Sequence, residues 1–142
     1  MEILIGIDTG RDTGLAVWDT GRRAFRAVAT LPIHRALDAV RTWAEENPGE
    51  VVVYFEDARQ RRWIPDTHDL RREMGRRQGA GSVKRDATIW EEALADWGIP
   101  FEAVRPHKGL TKWDAKTFAA VTGWTGRTSN HARDAALLVF GR

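Results

Sequence analysis

The strongest constraint on this chain is a continuous apolar run, Val51-Val52-Val53-Tyr54-Phe55, bounded by Asn47-Pro48-Gly49 and Glu56-Asp57. Five successive β-branched or aromatic residues read as a strand. A strand points alternate side chains to opposite faces, so a run with no polar alternation needs cover on both. That requirement implies a sheet clothed by helices on each side. The 142 residues suit one domain, 1–142, with one sheet; 42% hydrophobic and 30% charged residues fit a globular rather than a disordered chain.

The rest of the pattern agrees. Ile3–Ile7, Leu15–Trp18 and Ala24–Leu31 are apolar runs separated by Asp8-Thr9-Gly10 and Asp19-Thr20-Gly21. These predict a three-strand meander. Between His34 and Glu46, Ala36, Leu37, Val40, Trp43 and Ala44 recur at helical spacing. Residues 59–81 read as a loop and then a short helix. Ser82 caps a helix to about Trp97, which Gly98 and Pro100 stop. A last strand spans Phe101–Val104. Thr111 caps the next helix, with Asp114 in capping-box spacing and Gly123 at its end. Asn130 caps a final helix over His131–Phe140. The order β-β-β-α-β-α-β-α-α predicts an α/β fold with a five-stranded mixed sheet, a meander plus parallel strands, flanked by helices.

Several classes are excluded. Without cysteine there are no disulfides or thiolate zinc sites, and a reducing cytoplasm is the expected setting. No run is long enough to cross a bilayer, and the N-terminus lacks a basic signal region. Gly6, Gly10 and Gly14 do not make a dinucleotide fingerprint, and 75–84 lacks P-loop spacing. His68 and His107 have no ligand-type partner at helical spacing.

Two acids stand where chain leaves a buried strand: Asp8 after the first and Glu56 after the most apolar. A carboxylate there is partly desolvated and calls for a cation. If those strands are parallel neighbours, the two acids sit side by side at the strand ends where ligands gather. His131 and Asp134, three apart on the last helix, share a face. Small Ala135 and Ala136 would let that helix approach the sheet. Three carboxylates and an imidazole suit Mg²⁺ or Mn²⁺, two such ions serving phosphodiester hydrolysis. The imidazole could also move a proton, since imidazole titrates near neutrality. Each residue has a purely structural use as well. Asp8 can shape its turn, Glu56 can pair with an arginine, His131 can simply begin a helix, and Asp134 can favour a helix N-terminus.

Charge is unevenly spread. Arg59, Arg61, Arg62, Arg71, Arg72, Arg76, Arg77, Lys84 and Arg85 lie in one stretch with only three acids, a net of +6. The whole chain carries +2, so the remainder carries −4. Such asymmetry fits a phosphate-backbone footprint, and equally a solvated helix face.

These motifs resemble a known family. Gly6-Ile7-Asp8-Thr9-Gly10 with Thr13-Gly14-Leu15-Ala16 is similar to the opening of the RuvC-type Holliday junction resolvases. Phe55-Glu56 resembles their second motif. Arg105-Pro106 with Lys108, Lys112 and Lys116 resembles the stretch before their last helices. His131-Ala132-Arg133-Asp134-Ala135-Ala136 resembles their final motif. The resemblance covers nearly the whole chain, with phage-like members the nearer comparison in length. It implies an RNase H-like fold, a homodimer, and a metal-dependent endonuclease cleaving branched DNA. Asp8, Glu56, His131 and Asp134 become metal ligands, and Lys108 and Lys112 lie near the scissile phosphate. The acid motif departs by continuing Asp57-Ala58-Arg59, without the family's apolar-aromatic sequence. Trp63 either stacks on an unpaired base in its place or packs in the core or dimer interface. Trp18, Trp43, Trp90 and Trp97 read as packing. The alternatives are an RNase H-like nuclease for flaps, forks or RNA, and a catalytically silent nucleic-acid-binding module.

Overall fold

In the computed structural model the five strands form one mixed sheet in the order β3-β2-β1-β4-β5. The structure describes residues 2–57, 70–105 and 113–142, and over 70–83 the main-chain course alone. The strands are β1 (Ile3–Asp8), β2 (Asp12–Asp19), β3 (Ala24–Pro32), β4 (Val51–Glu56) and β5 (Phe101–Val104). The helices are α1 (Ile33–Glu46), α2 (Leu70–Trp97), α3 (Ala115–Thr122) and α4 (Asn130–Leu137). β1, β2 and β3 pair antiparallel as the expected meander, while β1, β4 and β5 pair parallel. No described helix is long and apolar enough to cross a membrane.

The pleat divides the core in two. Ile3, Ile5, Ile7, Leu15, Val17, Val51, Val53 and Phe55 face one side. There they meet Ala36 and Val40 of α1 and Ala87, Trp90 and Leu94 of α2. The α2 residues follow the three-and-four spacing of a helix stripe. Leu4, Ala16, Trp18 and Val28 face the other side, against Phe118 of α3 and Ala132, Ala135, Ala136 and Val139 of α4 and its end. The apolar run of β4 is therefore buried on the first face and half-buried on the second, where Val52 and Tyr54 pack against the core margin. Trp18 and Trp90 are buried, and Trp43 and Trp97 pack at the core margin, in keeping with their reading as packing residues.

Three boundaries differ from expectation. α2 is one helix of 28 residues, about 42 Å long, so Ser82 lies inside it. Gly75, Gly79 and Gly81 lower local propensity and make 82 resemble a start. Once Ala87, Trp90 and Leu94 anchor the helix, extension proceeds residue by residue with no new nucleus. Asp114, rather than Thr111, caps α3, its side chain accepting from the Thr117 N–H at 2.7 Å. That bond, the largest influence, holds the Asp114 carboxyl below the usual range. Thr111 itself lies outside the described residues. Ser129, rather than Asn130, caps α4, which ends at Leu137. All four residue types accept N-terminal N–H bonds, so composition could not choose among nearby candidates.

The β2–β3 turn is organised by a buried acid. Asp19 accepts from the N–H groups of Gly21 and Arg22, each at 3.0 Å, and from the Arg26 guanidinium at 3.4 Å. The Arg22 N–H bond, opposed in part by burial, holds its carboxyl below the usual range. A lowered native pKa means the carboxylate stabilises the fold above its unfolded pKa. That increment disappears as pH falls through the native value. The stability gap between wild type and Asp19→Asn, measured by urea denaturation, is expected to be constant near neutrality and to shrink below about pH 4. A gap independent of pH down to about 2 would contradict this account.

Candidate functional site

The site begins with register. β1 and β4 run parallel with Ile7 opposite Phe55, so the next residues, Asp8 and Glu56, leave adjacent strand ends together. Neighbouring strands lie about 4.8 Å apart. The pleat also fixes their face. Leu4 packs on the α4 side, as do Val52 and Tyr54, and Asp8 and Glu56 share their parity. The Thr9 hydroxyl donates to the Glu56 carbonyl at 3.1 Å, tying the two ends. Buried Thr13 donates to the Gly10 carbonyl at 2.8 Å and closes the β1–β2 turn.

α4 supplies the imidazole. It lies directly on the glycines of β1 and β2. A Cβ on Gly6 would collide with the Ala135 carbonyl, and one on Gly14 with the His131 carbonyl. Those carbonyls are one helical turn apart, so two missing side chains seat one helix face. The seat brings His131 Nδ1 to 3.0 Å from Asp8 Oδ2. With the carboxylate accepting, the ring is held as an Nδ1–H donor. The His131 side chain is 56% exposed and that of Asp8 16%, so the pair opens on solvent at the sheet edge.

Asp134 is half-buried on the same helix, one residue before Ala135. Asp8, Glu56 and Asp134 each have further interactions. Among the described residues, no three acids or imidazoles are grouped so as to hold a metal ion. Asp8 and His131 are in contact; Glu56 is brought to the neighbouring strand end; and Asp134 rides on the helix that carries His131.

Of the basic residues, Lys84 and Arg85 are exposed on α2 and Lys116 is exposed on α3. Arg71, Arg72, Arg76 and Arg77 fall on the main-chain course of α2. Arg59, Arg61, Arg62, Trp63, Lys108 and Lys112 lie outside the described residues.

Sequence reasoning missed four contributors. Gly6 and Gly14 are strand-interior glycines, and that oddity is the available signal for close backbone approach. Ser129 caps α4 through the Ala132 N–H at 3.2 Å, and its hydroxyl also meets that of Thr30 on β3. Arg133, a member of the last motif with no role expected of it, is buried.

A five-stranded mixed sheet with this order and helices on both faces is an RNase H-like fold. Among solved structures, it is similar to T. thermophilus RuvC in complex with a Holliday junction substrate, with a TM-score of 0.56. The match covers 96% of this chain and 89% of that one at 17% sequence identity. The likeness is one of fold. No protein-family model matches the chain, and no curated protein sequence does.

The glycine seat is testable. Gly14→Ala places a methyl against main chain that cannot rotate away. A loss of about 3 kcal/mol in urea denaturation is expected, the upper part of the overpacking range. Stability within about 0.5 kcal/mol of wild type, the usual scatter for surface changes, would count against the seat.

Proposed function

We propose that this protein is a metal-dependent endonuclease acting on branched DNA, four-way junctions in particular. One observation carries the reading. Two acids leave adjacent parallel strands on one face, and a helix is seated there on glycines with its histidine in contact with one of them. The similarity of fold to a RuvC whose structure holds a Holliday junction substrate supports the choice of DNA.

On this reading Asp8, Glu56, His131 and Asp134 hold Mg²⁺ or Mn²⁺, two ions per site. The donor set fits: carboxylate oxygens and one imidazole are hard or borderline ligands, and no thiolate is present. Such ions, when bound, polarise a phosphodiester and lower the pKa of coordinated water. Asp8 is held at its strand end by the pairing of β1 with β2 and β4, so its carboxylate needs little reorganisation. The hydrogen bond from His131 orients that carboxylate until a cation competes for it. The exposed edge leaves room for a phosphate backbone. The arginines of 59–85 and Lys116 bind phosphates electrostatically, with Lys108 and Lys112 beside the scissile group. Trp63 is a candidate for stacking on an unpaired base. Symmetric cutting of a junction calls for two active sites, hence a homodimer.

A second reading has its own support. The absence of a three-ligand cluster among the described residues suits a module that binds nucleic acid without cutting it. Cleavage of a synthetic four-way junction in Mg²⁺ or Mn²⁺, beside duplex, flap, fork and RNA–DNA hybrid controls, separates the readings. Wild type is expected to nick the junction, and Asp8→Asn to lose nicking while keeping its melting temperature and junction affinity. Equal cleavage by that variant would remove Asp8 from the chemistry; binding without nicking by wild type would favour the silent module.

The basic segment makes a separate prediction. Replacing Arg71, Arg72, Arg76 and Arg77 with Gln should weaken binding. It should also flatten the dependence of log affinity on log salt by about 0.9 for each phosphate that is no longer neutralised. An unchanged slope would show that α2 does not meet the backbone.

A further inference from the structure

Arg133 is the one buried cation among the described residues, 8% exposed at the centre of α4. Its guanidinium makes four hydrogen bonds. Nε donates to the Trp113 carbonyl at 3.0 Å. Nη1 donates to the Thr128 carbonyl and hydroxyl, each at 2.8 Å. Nη2 donates to Asn130 Oδ1 at 2.5 Å. All four acceptors are neutral. They belong to three places: the residue before the α3 cap, the loop entering α4, and the first turn of α4. The planar fork of arginine suits such a spread of acceptors, which a lysine point charge cannot span.

The position of this tie matters. Arg133 lies between His131 and Asp134 on a helix of only eight residues. Residues two apart on a helix point to nearly opposite sides. Where His131 meets Asp8 on the sheet, Arg133 reaches the other way, to the chain leading into α3. The Gly6 and Gly14 seats set how closely α4 approaches the sheet. They also fix which face of α4 meets the sheet, but the helix's own side chains on that face, Ala132, Ala135 and Ala136, are small and leave its fine rotation to contacts on the other side. Ser129 accepts from the first turn and meets Thr30 on β3, and so anchors the start of the helix.

We propose that Arg133 is a positioning residue, whose fork to Trp113, Thr128 and Asn130 sets the rotation of α4 that turns His131 onto Asp8. The proposal rests on the nuclease reading for its consequence in catalysis, but not for the geometry it asserts. Burying a cation whose four acceptors are neutral carries a desolvation cost, eased by the nearby Asp114 carboxylate, and a small turn of α4 about its axis is the degree of freedom the fork removes.

The test uses the full chain with Arg133→Lys, which keeps the charge and loses the fork, and Asn130→Ala, which removes one exposed acceptor. NMR reads the cross-relaxation between the His131 ring and the Asp8 β protons, a signal that loss of stability alone leaves in place while the protein is folded. Wild type is expected to show it as a single set. Folded Arg133→Lys should lose it or split it, and Asn130→Ala should weaken it. In parallel, Mn²⁺-dependent junction cleavage should fall about tenfold or more in Arg133→Lys, as for other groups that orient a metal ligand. Junction affinity in Ca²⁺ should stay within about twofold, as expected when an orienting group touches neither DNA nor metal. An unchanged ring signal in folded Arg133→Lys overturns the proposal. Should that variant not fold, an unchanged signal in Asn130→Ala overturns it instead. Absence of cleavage by wild type would defeat the nuclease reading and leave the ring signal to decide the role of Arg133.

Discussion

The arrangement at the sheet edge depends on how closely α4 can lie on β1 and β2. Two carbonyls of the helix, those of His131 and Ala135, sit where side chains of Gly14 and Gly6 would otherwise stand. With any Cβ at either place the helix would have to withdraw, and His131 would leave hydrogen-bonding distance of Asp8. Alanines at 132, 135 and 136 complete the fit on the helix side. The opposite face of the sheet is built differently. There Trp90, Leu94 and Phe55 fill space with bulk, and α1 and α2 stand off accordingly. One face is thus a packed core in the ordinary sense, and the other a close backbone approach that brings polar groups together.

That division organises the polar residues. Asp8 and Glu56 emerge on the closely packed face because their parity matches Leu4, Val52 and Tyr54. A one-residue slip of either strand would send its acid to the α1–α2 side. The flanking bonds guard against this. Thr9 joins the β1 end to the Glu56 carbonyl, and Thr13 closes the turn beneath. Far from the site, Asp19 performs the same service for the β2–β3 turn, where Arg23 takes a left-handed conformation at φ 51°. Local hydrogen bonds hold the strand ends in register, and the site inherits their order.

Electrostatics gives the edge its character. Asp8 and Glu56 place negative charge at one rim, while Lys84, Arg85 and Lys116 are exposed on helices of opposite faces. On the nuclease reading proposed above, a nucleic acid approaching such a rim would meet acids that call for a counter-cation before it can come close. That requirement is a physical reason for divalent metal in a site of this kind, independent of any particular reaction.

Much of this was legible in the chain. The double-sided apolarity of 51–55 demanded a covered strand, apolar runs and turn signals in 3–31 marked the meander, and an acid after each of two buried strands marked the candidate site. Helix boundaries were less legible. Glycines at 75, 79 and 81 disguised the continuity of α2, and adjacent cap-forming residues at 129 and 130 are equivalent until a backbone chooses between them. What tertiary structure alone decided is the meeting of Asp8 with His131, 123 positions apart, and the burial of Arg133 against main chain from two other segments. Propensity and periodicity are properties of neighbours in sequence, so they specify strands, helices and the faces they present. Which face meets which depends on shape where they touch, here the absence of two β-carbons, and that becomes visible only when the elements are packed.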